Sequence, residues 1–231
     1  MASIYVSGEY LDCTKTWHTE DSAWKAQHIL QAINTCRLQP ATVWEVGCGA
    51  GEVLNQLHHL LPSNVSFVGY EISPQAYELC LQRQTDRLVF RNEDLPVALS
   101  RQADLLLAID VLEHVPDYQA FLRALRGVAT HTIFHIPLEL TVENILYGRT
   151  LIESRRSLGH LHFFDRGTAL AVLEDCGYTI IAEHYTYWEG ELAHRRPKSV
   201  LRRCSMSLLK RWREKLAVRL LGGHSLLVVA R

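Results

Sequence analysis

The chain has no CxxC cysteine pair and no long apolar run. Its six cysteines are scattered, which argues against a zinc ribbon and a disulfide scaffold and favours a reducing compartment, so we expect a cytoplasmic protein. No apolar run reaches the roughly 18 residues that a membrane-spanning helix needs. The N-terminus lacks the basic region and apolar core of a signal peptide.

A strong charge of either sign is also missing. The formal net charge is −1 over 231 residues, so the whole molecule has no electrostatic attraction for polyanions. An apolar content of 48% and a charged content of 21% are ordinary for a globular protein. We therefore expect residues 1–231 to form one α/β domain with a substantial core.

The most informative segment is residues 44–54, which read WEVGCGAGEVL. An apolar run leads into three glycines at alternate positions, and an apolar helical pattern follows, which predicts a strand, a tight turn and a helix. Such glycines allow positive φ angles and close approach of a ligand to the backbone. The first helical turn offers unpaired N–H groups. The segment predicts a small-molecule site at the carboxyl end of the first strand.

The charges beside this turn argue against a dinucleotide ligand. Gly51 comes one position too early for a G-x-G-x-x-G motif, and Glu45 and Glu52 flank the turn. Two carboxylates would repel a pyrophosphate, at roughly 1 kcal/mol or more per close pair. A ligand that carries a sulfonium and an ammonium group meets no such repulsion.

Acidic residues also end or follow the next three predicted strands. The second strand ends in Glu71, about 20 residues beyond the loop, where ribose-binding folds place an acid for the sugar hydroxyls. The third strand runs into Asp94, and the fourth ends in Asp110. A glycine turn and three acids thus follow four successive strands.

In this order the segments resemble four motifs of the class I S-adenosylmethionine (SAM) methyltransferases, in the group related to the ubiquinone-pathway O-methyltransferases. The resemblance covers roughly residues 40–180. It implies a Rossmann-like seven-stranded sheet, mostly parallel with an antiparallel last strand and helices on both faces, and SAM as the cofactor. The cofactor-binding residues that it implies are Trp17, Glu45, Gly47, Gly49, Gly51, Glu71, Ile72, Asp94, Leu95, Asp110 and Val111.

Two of these assignments have a structural alternative. Trp17 belongs to an expected N-terminal helical cap, residues 1–40, and either stacks on the cofactor or packs the cap onto the sheet. Asp110 either binds the methionine end of the cofactor or caps the next helix.

Residues 138–168 interrupt the sheet after the fifth strand and are the expected substrate lid. We expect a small-molecule acceptor with transfer to oxygen, and nitrogen stays open. An alcohol or phenol must lose a proton, which calls for a base. His160 is the first candidate because it lies in the lid beside Gly159, and His162 is the second. No metal ligand is assigned on this interpretation.

A basic segment, residues 195–222, precedes the last predicted strand. Ten Lys and Arg residues between positions 195 and 219 are opposed only by Glu214. The apolar positions between them predict an amphipathic helix or helix pair. A solvated face explains the charge, while attraction to an anionic substrate or a nucleic acid, peripheral contact of residues 195–219 with a membrane surface, and a homodimer face stay open.

Two other functions compete with a small-molecule methyltransferase. Asp110-x-x-Glu113-His114 with His160-x-His162 partly resembles the metal site of the small-RNA 3′-end 2′-O-methyltransferases, whose ligands suit Mg²⁺ or Mn²⁺. Residues 136–139, IPLE, replace the asparagine–glutamate motif of that family, so we do not expect a nucleic-acid partner. The other alternative is a scaffold that binds SAM without turnover.

Overall fold

The computed structural model describes residues 19–95, 103–187, 214–220 and 222–231. Within these ranges, seven strands form one sheet in the order β3-β2-β1-β4-β5-β7-β6. The strands are β1 (Thr42–Val46), β2 (Ser66–Tyr70), β3 (Leu88–Arg91), β4 (Ala103–Ile109), β5 (Ala129–Pro137), β6 (Ile180–Thr186) and β7 (Ser225–Ala230). Strands β1 to β5 pair in parallel, and β7 is antiparallel to both β5 and β6. The predicted fold class is confirmed.

The helices of the described ranges connect these strands. They are α1 (Ser22–Thr35), α2 (Glu52–Leu60), α3 (Pro74–Leu81), α4 (Tyr118–Leu125), α5 (Val142–Tyr147), α6 (Arg149–Ser157) and α7 (Arg166–Asp175), and residues 214–220 are also helical. Short 3₁₀ turns lie at Thr19–Asp21 and Leu112–His114. The Ser73 hydroxyl accepts the Ala76 N–H at the start of α3, as a Ser-Pro helix start predicts.

The sheet separates two apolar cores. Leu105 of β4 packs in the core that contains Ile29 of α1, and Leu106 packs in the opposite core with Phe134. Successive side chains of a strand point to opposite faces, so a central strand buried on both faces is apolar throughout. Helices therefore cover both faces of the sheet, and the strand ends carry the polar groups.

Several predicted segments can be compared with the structure. The N-terminal helix is present as α1, and the predicted lid, residues 138–168, contains α5 and α6. Trp17 and residues 195–213 lie outside the described residues, and the division of the chain into a cap, a lid and a basic insertion stays a prediction. None of the helices in the described ranges has the length and apolar character needed to cross a membrane.

Candidate functional site

The bend after β1 is built from glycines in the left-handed region. Gly47, Gly49 and Gly51 have φ angles of 65°, 56° and 76°. A Cβ atom at Gly51 would lie 2.5 Å from Phe90 Cε1, and one at Gly47 would lie 3.0 Å from Val111 Cγ2. Because other residues rarely adopt these φ angles and a Cβ at Gly51 would clash, this bend requires glycine.

Glu71, directly after β2, links the glycine bend to the turn that precedes α3. Its Oε2 accepts the N–H of Gly49 at 2.8 Å, and its Oε1 accepts the N–H of Ser73 at 2.7 Å. The side chain is buried. Burial raises the pKa of Glu71, and the hydrogen bonds from the backbone offset only part of that rise. Each carboxylate oxygen has a second lone pair, so Glu71 could still accept a hydrogen bond from a ligand.

The predicted cofactor-binding residues Ile72, Asp94 and Leu95 follow the carboxyl ends of β2 and β3. Ile72 is 48% exposed although it is apolar. Asp94 is exposed, and its Oδ1 accepts the N–H of Leu95 at 2.8 Å, while the Leu95 side chain is buried. An exposed apolar side chain and an exposed carboxylate thus share one edge of the sheet.

Asp110, directly after β4, is the centre of an ionic network that the sequence did not predict. Its Oδ2 lies 2.8 Å from Lys25 Nζ, and its Oδ1 lies 2.6 Å from His135 Nδ1. Lys25 Nζ also lies 2.9 Å from Asp21 Oδ2, and His135 Nε2 lies 2.8 Å from Thr186 Oγ1. The network therefore joins α1, β4, β5 and β6 at one edge of the sheet.

The structure rules out a helix-capping role for Asp110. The next helix, α4, is capped instead by Asp117, whose Oδ1 accepts the Ala120 N–H at 2.9 Å. Asp110 has a positive φ of 53°, which is rare for a residue other than glycine. Burial would raise the pKa of Asp110, but the charges of His135 and Lys25 outweigh it and lower that pKa.

Glu45, in the strand before the glycine bend, and Lys25 of α1 are both buried and interact electrostatically. Burial raises the pKa of Glu45, the Lys25 ammonium lowers it in part, and the Glu71 and Asp110 carboxylates raise it again. Burial alone would lower the pKa of Lys25, but the Asp110 and Asp21 carboxylates outweigh it and raise that pKa. Acidic groups outnumber the single lysine here, so the edge is suited to a cationic ligand.

A second cluster lies further along the same edge. One ligand atom each from Glu113, His114 and His160 lies within 4.8 Å of the other two. Glu113 and His114 belong to the 3₁₀ turn after β4, whereas His160 comes from the lid. The backbone N–H groups of Leu161 and His162 donate to the Glu113 carbonyl at 2.7 and 3.2 Å, which anchors the lid to this turn.

The two predicted catalytic histidines have different surroundings. His160 is buried, and its Nδ1 lies 2.5 Å from Glu139 Oε2. His162 Nε2 lies 3.2 Å from the Pro116 carbonyl oxygen, and its ring packs edge-on against Tyr118 at 4.6 Å. The structure therefore brings His160 into a cluster of ionisable groups and places His162 against the turn before α4.

Four polar residues of these two clusters were missed from the sequence: Lys25, His135, Glu139 and Thr186. Lys25 belongs to the polar part of an ordinary amphipathic pattern. His135 is buried in β5, and its ring contacts Asp110 and Thr186. Nothing in the local sequence marks these contacts, because their partners lie far away along the chain.

A known protein family matches the part of the chain that contains the glycine bend. Residues 44–132 match the methyltransferase domain family. That range runs from β1 into β5 and includes Glu71 and Asp110, and it is less than half of the chain. The match agrees with the predicted methyltransferase class and with SAM as the cofactor. It does not distinguish the subgroup related to the ubiquinone pathway.

Solved structures share the fold over most of the chain. The complex between the Haloferax volcanii Trm112 methyltransferase activator and a methyltransferase contains a chain with a TM-score of 0.65 and 15% identity, over 96% of this chain and 95% of that one. Magnesium protoporphyrin IX methyltransferase from Synechocystis, solved with bound SAH, has a TM-score of 0.58 and 16% identity, over 93% and 82%. A SAM-dependent methyltransferase from Archaeoglobus fulgidus has a TM-score of 0.59 and 17% identity, over 90% of this chain and 93% of that one.

These identities are too low to carry over a substrate, so the likeness shows the fold alone. A comparison with functionally curated proteins finds no significant match in sequence.

Proposed function

We propose that this chain is a SAM-dependent methyltransferase that methylates an oxygen atom of a small-molecule acceptor. The acidic, glycine-lined edge formed by the ends of β1, β2 and β4 carries this proposal. Three carboxylates, Glu45, Glu71 and Asp110, lie around a bend whose glycines permit close approach of a ligand. Such an edge favours a ligand with cationic groups over a pyrophosphate.

We assign the parts of the cofactor to different strand ends. Glu71 would accept hydrogen bonds from the ribose hydroxyls, and Ile72, Asp94 and Leu95 would border the adenine. The methionine part would lie against the glycine bend, with Asp110 and Val111 beside it. The Glu45 carboxylate, in the strand before the bend, would contribute to the attraction for a cationic ligand. Trp17, which lies outside the described residues, stays a proposed contact.

The reaction would be an in-line displacement. The acceptor oxygen forms a bond to the methyl carbon, the carbon–sulfur bond breaks, and its electron pair stays on sulfur. Because the sulfonium donor is already activated, the chain mainly orients the reactants and excludes water. We place the acceptor oxygen at His160, since the lid hydrogen bonds to the turn that directly follows Val111. His162 is the weaker candidate because its Nε2 faces the Pro116 carbonyl.

The experiments described below also test two alternative functions. The Glu113, His114 and His160 cluster favours the RNA 2′-O-methyltransferase, but Asp110, the fourth residue of that pattern, is bound by Lys25 and His135. A scaffold would keep the cofactor site and transfer nothing.

Isothermal titration calorimetry with SAM tests the cofactor site. We expect Glu71→Ala to weaken SAM binding by about 1–3 kcal/mol, the range for a hydrogen bond to a charged group, and Gly49→Val to abolish it, because a β-branched residue does not fit a φ of 56°. Glu78→Ala removes an exposed carboxylate of α3 and should leave the affinity unchanged. Wild-type affinity in Gly49→Val would show that the bend does not hold SAM.

Transfer is tested with methyl-labelled SAM and extracts fractionated into small molecules, RNA and protein. Label in the small-molecule fraction supports the proposal, and label in RNA would support the first alternative. Binding without transfer to any fraction would support the scaffold. With an acceptor in hand, His160→Ala should reduce turnover more than it reduces SAM affinity.

A further inference from the structure

We propose that Glu113, His114 and His160 bind one divalent transition-metal ion, and that this ion takes the oxygen atom of the acceptor. Only the role of the ion at the acceptor oxygen rests on the proposed function. Metal binding by these three side chains can be tested without any acceptor.

The donor set suits such an ion. Two imidazoles and one carboxylate are the ligands of catalytic zinc sites and of the non-haem Fe(II) facial triad, both of which leave coordination positions open. Ligand atoms about 2.0–2.2 Å from one ion lie roughly 3–3.5 Å apart. The three atoms here lie within 4.8 Å of one another, so modest side-chain rotations close the site.

His160 is oriented as a metal ligand is. Its Nδ1 lies against Glu139 Oε2 at 2.5 Å, and the Ser154 hydroxyl donates to Glu139 Oε1 at 2.8 Å. A carboxylate that accepts one imidazole N–H fixes the tautomer, so the other nitrogen, Nε2, carries the lone pair that coordinates the ion. Glu139 would therefore act as a positioning residue behind His160.

Glu113 supplies an independent observation. Its side chain is 1% exposed, and among the described residues its Oε2 has no hydrogen-bond partner. A buried carboxylate oxygen without a partner is costly and rare. Coordination of a cation would satisfy it, whereas the protein groups around it do not.

The position of the cluster indicates what the ion would do. Glu113 lies two residues after Val111, whose side chain borders the glycine bend, so the ion would face the methyl donor. An ion held there would help a coordinated hydroxyl group to lose its proton to solvent. The acceptor oxygen would then bond to the methyl carbon while the carbon–sulfur bond breaks and its electron pair stays on sulfur. His160 would then be a ligand and not the base. The acceptor class is a hydroxyl compound that can coordinate a metal through oxygen.

The ligand set differs from the four-residue pattern of the RNA enzymes. Asp110 lies between Lys25 and His135, 2.8 and 2.6 Å from their nitrogens, and so does not join the three ligands. A site of three protein ligands leaves room for acceptor oxygens on the ion.

The experiment measures metal binding directly. Chelator-treated full-length protein is titrated with Zn²⁺, Co²⁺ and Mn²⁺ alone, and bound metal is quantified by mass spectrometry after dialysis. We expect one ion per chain for at least one metal. Glu113→Gln and His160→Gln should lose at least tenfold in affinity, and Glu139→Gln should lose about 10–100-fold although it removes no ligand.

His162→Gln is the matched control, because it removes a histidine two positions away in the same lid and should keep the wild-type metal affinity. Thermal unfolding of every variant separates loss of a ligand from loss of the fold. Failure of all three metals to bind at one ion per chain, or an equal loss in His162→Gln, would overturn the inference.

The SAM titration separates this result from the proposed function. Metal binding without SAM binding would support the site and overturn the methyltransferase. SAM binding and metal-independent turnover that His160→Gln abolishes would overturn the metal site and make His160 the base.

Discussion

The glycine bend after β1 shows what single residues contribute. Gly51 combines a φ of 76° with a position where a Cβ would lie 2.5 Å from the Phe90 ring. Glu71 depends on the same bend, because one of its two oxygens accepts the Gly49 N–H. A small change in this backbone would therefore also shift the side chain of Glu71 in the proposed cofactor site.

We expect Gly51→Ala to lower the free energy of unfolding by about 2–5 kcal/mol. A left-handed alanine costs roughly 1–2 kcal/mol, and forcing a methyl group into a packed site adds about 1–3 kcal/mol. Urea unfolding measures the loss, and calorimetry should show weaker SAM binding.

Gly127→Ala provides the control for this substitution. Gly127 also has a positive φ, 86°, but a Cβ there would meet nothing within 4 Å. Only the backbone cost of roughly 1–2 kcal/mol is expected. Equal losses in the two variants would show that contact with Phe90 contributes nothing.

Among the elements, α1 is joined to the end of β4 by an ion pair between the buried Lys25 and the half-buried Asp110. Lys25 contributes the ammonium, Asp110 and Asp21 contribute carboxylates, and His135 holds the other oxygen of Asp110. This contact fixes the N-terminal helix over the edge at which we place the cofactor.

We expect Lys25→Met and Asp110→Asn each to destabilise the protein, and the double variant to be more stable than the sum of the two losses predicts. Removing one partner leaves the other with its second contact, Asp21 for Lys25 or His135 for Asp110, and the double variant loses the Lys25–Asp110 contact only once. The coupling energy should be about 1–3 kcal/mol, obtained by a double-mutant cycle from urea unfolding.

The surface pair of Arg91 and Glu93, with 3.4 Å between charged atoms and both side chains about half exposed, is the comparison. Solvent screening should keep its coupling below about 1 kcal/mol. A similar coupling in both pairs would mean that burial adds nothing to the Lys25 contact.

For the whole molecule, the buried carboxylates make stability depend on pH in two opposite ways. Burial would raise the pKa of Asp110, but His135 and Lys25 lower it below that of the unfolded chain. The pKa of Glu45 is raised, mainly by burial. Such shifts are differences in proton binding between the folded and unfolded states.

We expect stability to fall as the pH drops below about 4, the ordinary pKa of an aspartate. There the unfolded chain binds a proton at Asp110 and the folded chain does not. Urea unfolding between pH 3 and 7 should show a smaller acid loss in Asp110→Asn than in the wild type.

Glu45→Gln should act in the opposite direction. A raised folded-state pKa gives stability at low pH that is lost as the pH rises through that pKa, so this variant should lose less stability than the wild type on going from pH 4 to 7. Parallel curves for the wild type and both variants would refute the assignment of these shifts.

Much of the fold was predictable because its signals are local. The bend at residues 47–51, the strand that ends in Glu71 and the cap at Ser73 each follow from neighbouring residues, and the structure contains all three. The seven-stranded sheet with an antiparallel last strand was implied by the resemblance to the methyltransferases, and the structure contains it.

The contacts of the candidate site were less predictable. His160 and His162 are equivalent by spacing, yet of the two it is the His160 side chain that lies beside the Glu139 and Glu113 side chains. One ionic partner of Asp110 is Lys25, which precedes it by 85 positions. Neither pairing leaves a mark in the adjacent residues.

The sequence alone determined the glycine bend, the acids at the strand ends and the alternation of apolar strands and helices, because backbone φ preferences and burial periodicity act between near neighbours. Only the tertiary structure decided which charges share a buried space: Lys25 with Asp110, and His160 with Glu113 and Glu139. Electrostatic energies depend on distance and burial in three dimensions, and both are set only when the sheet and the lid come together.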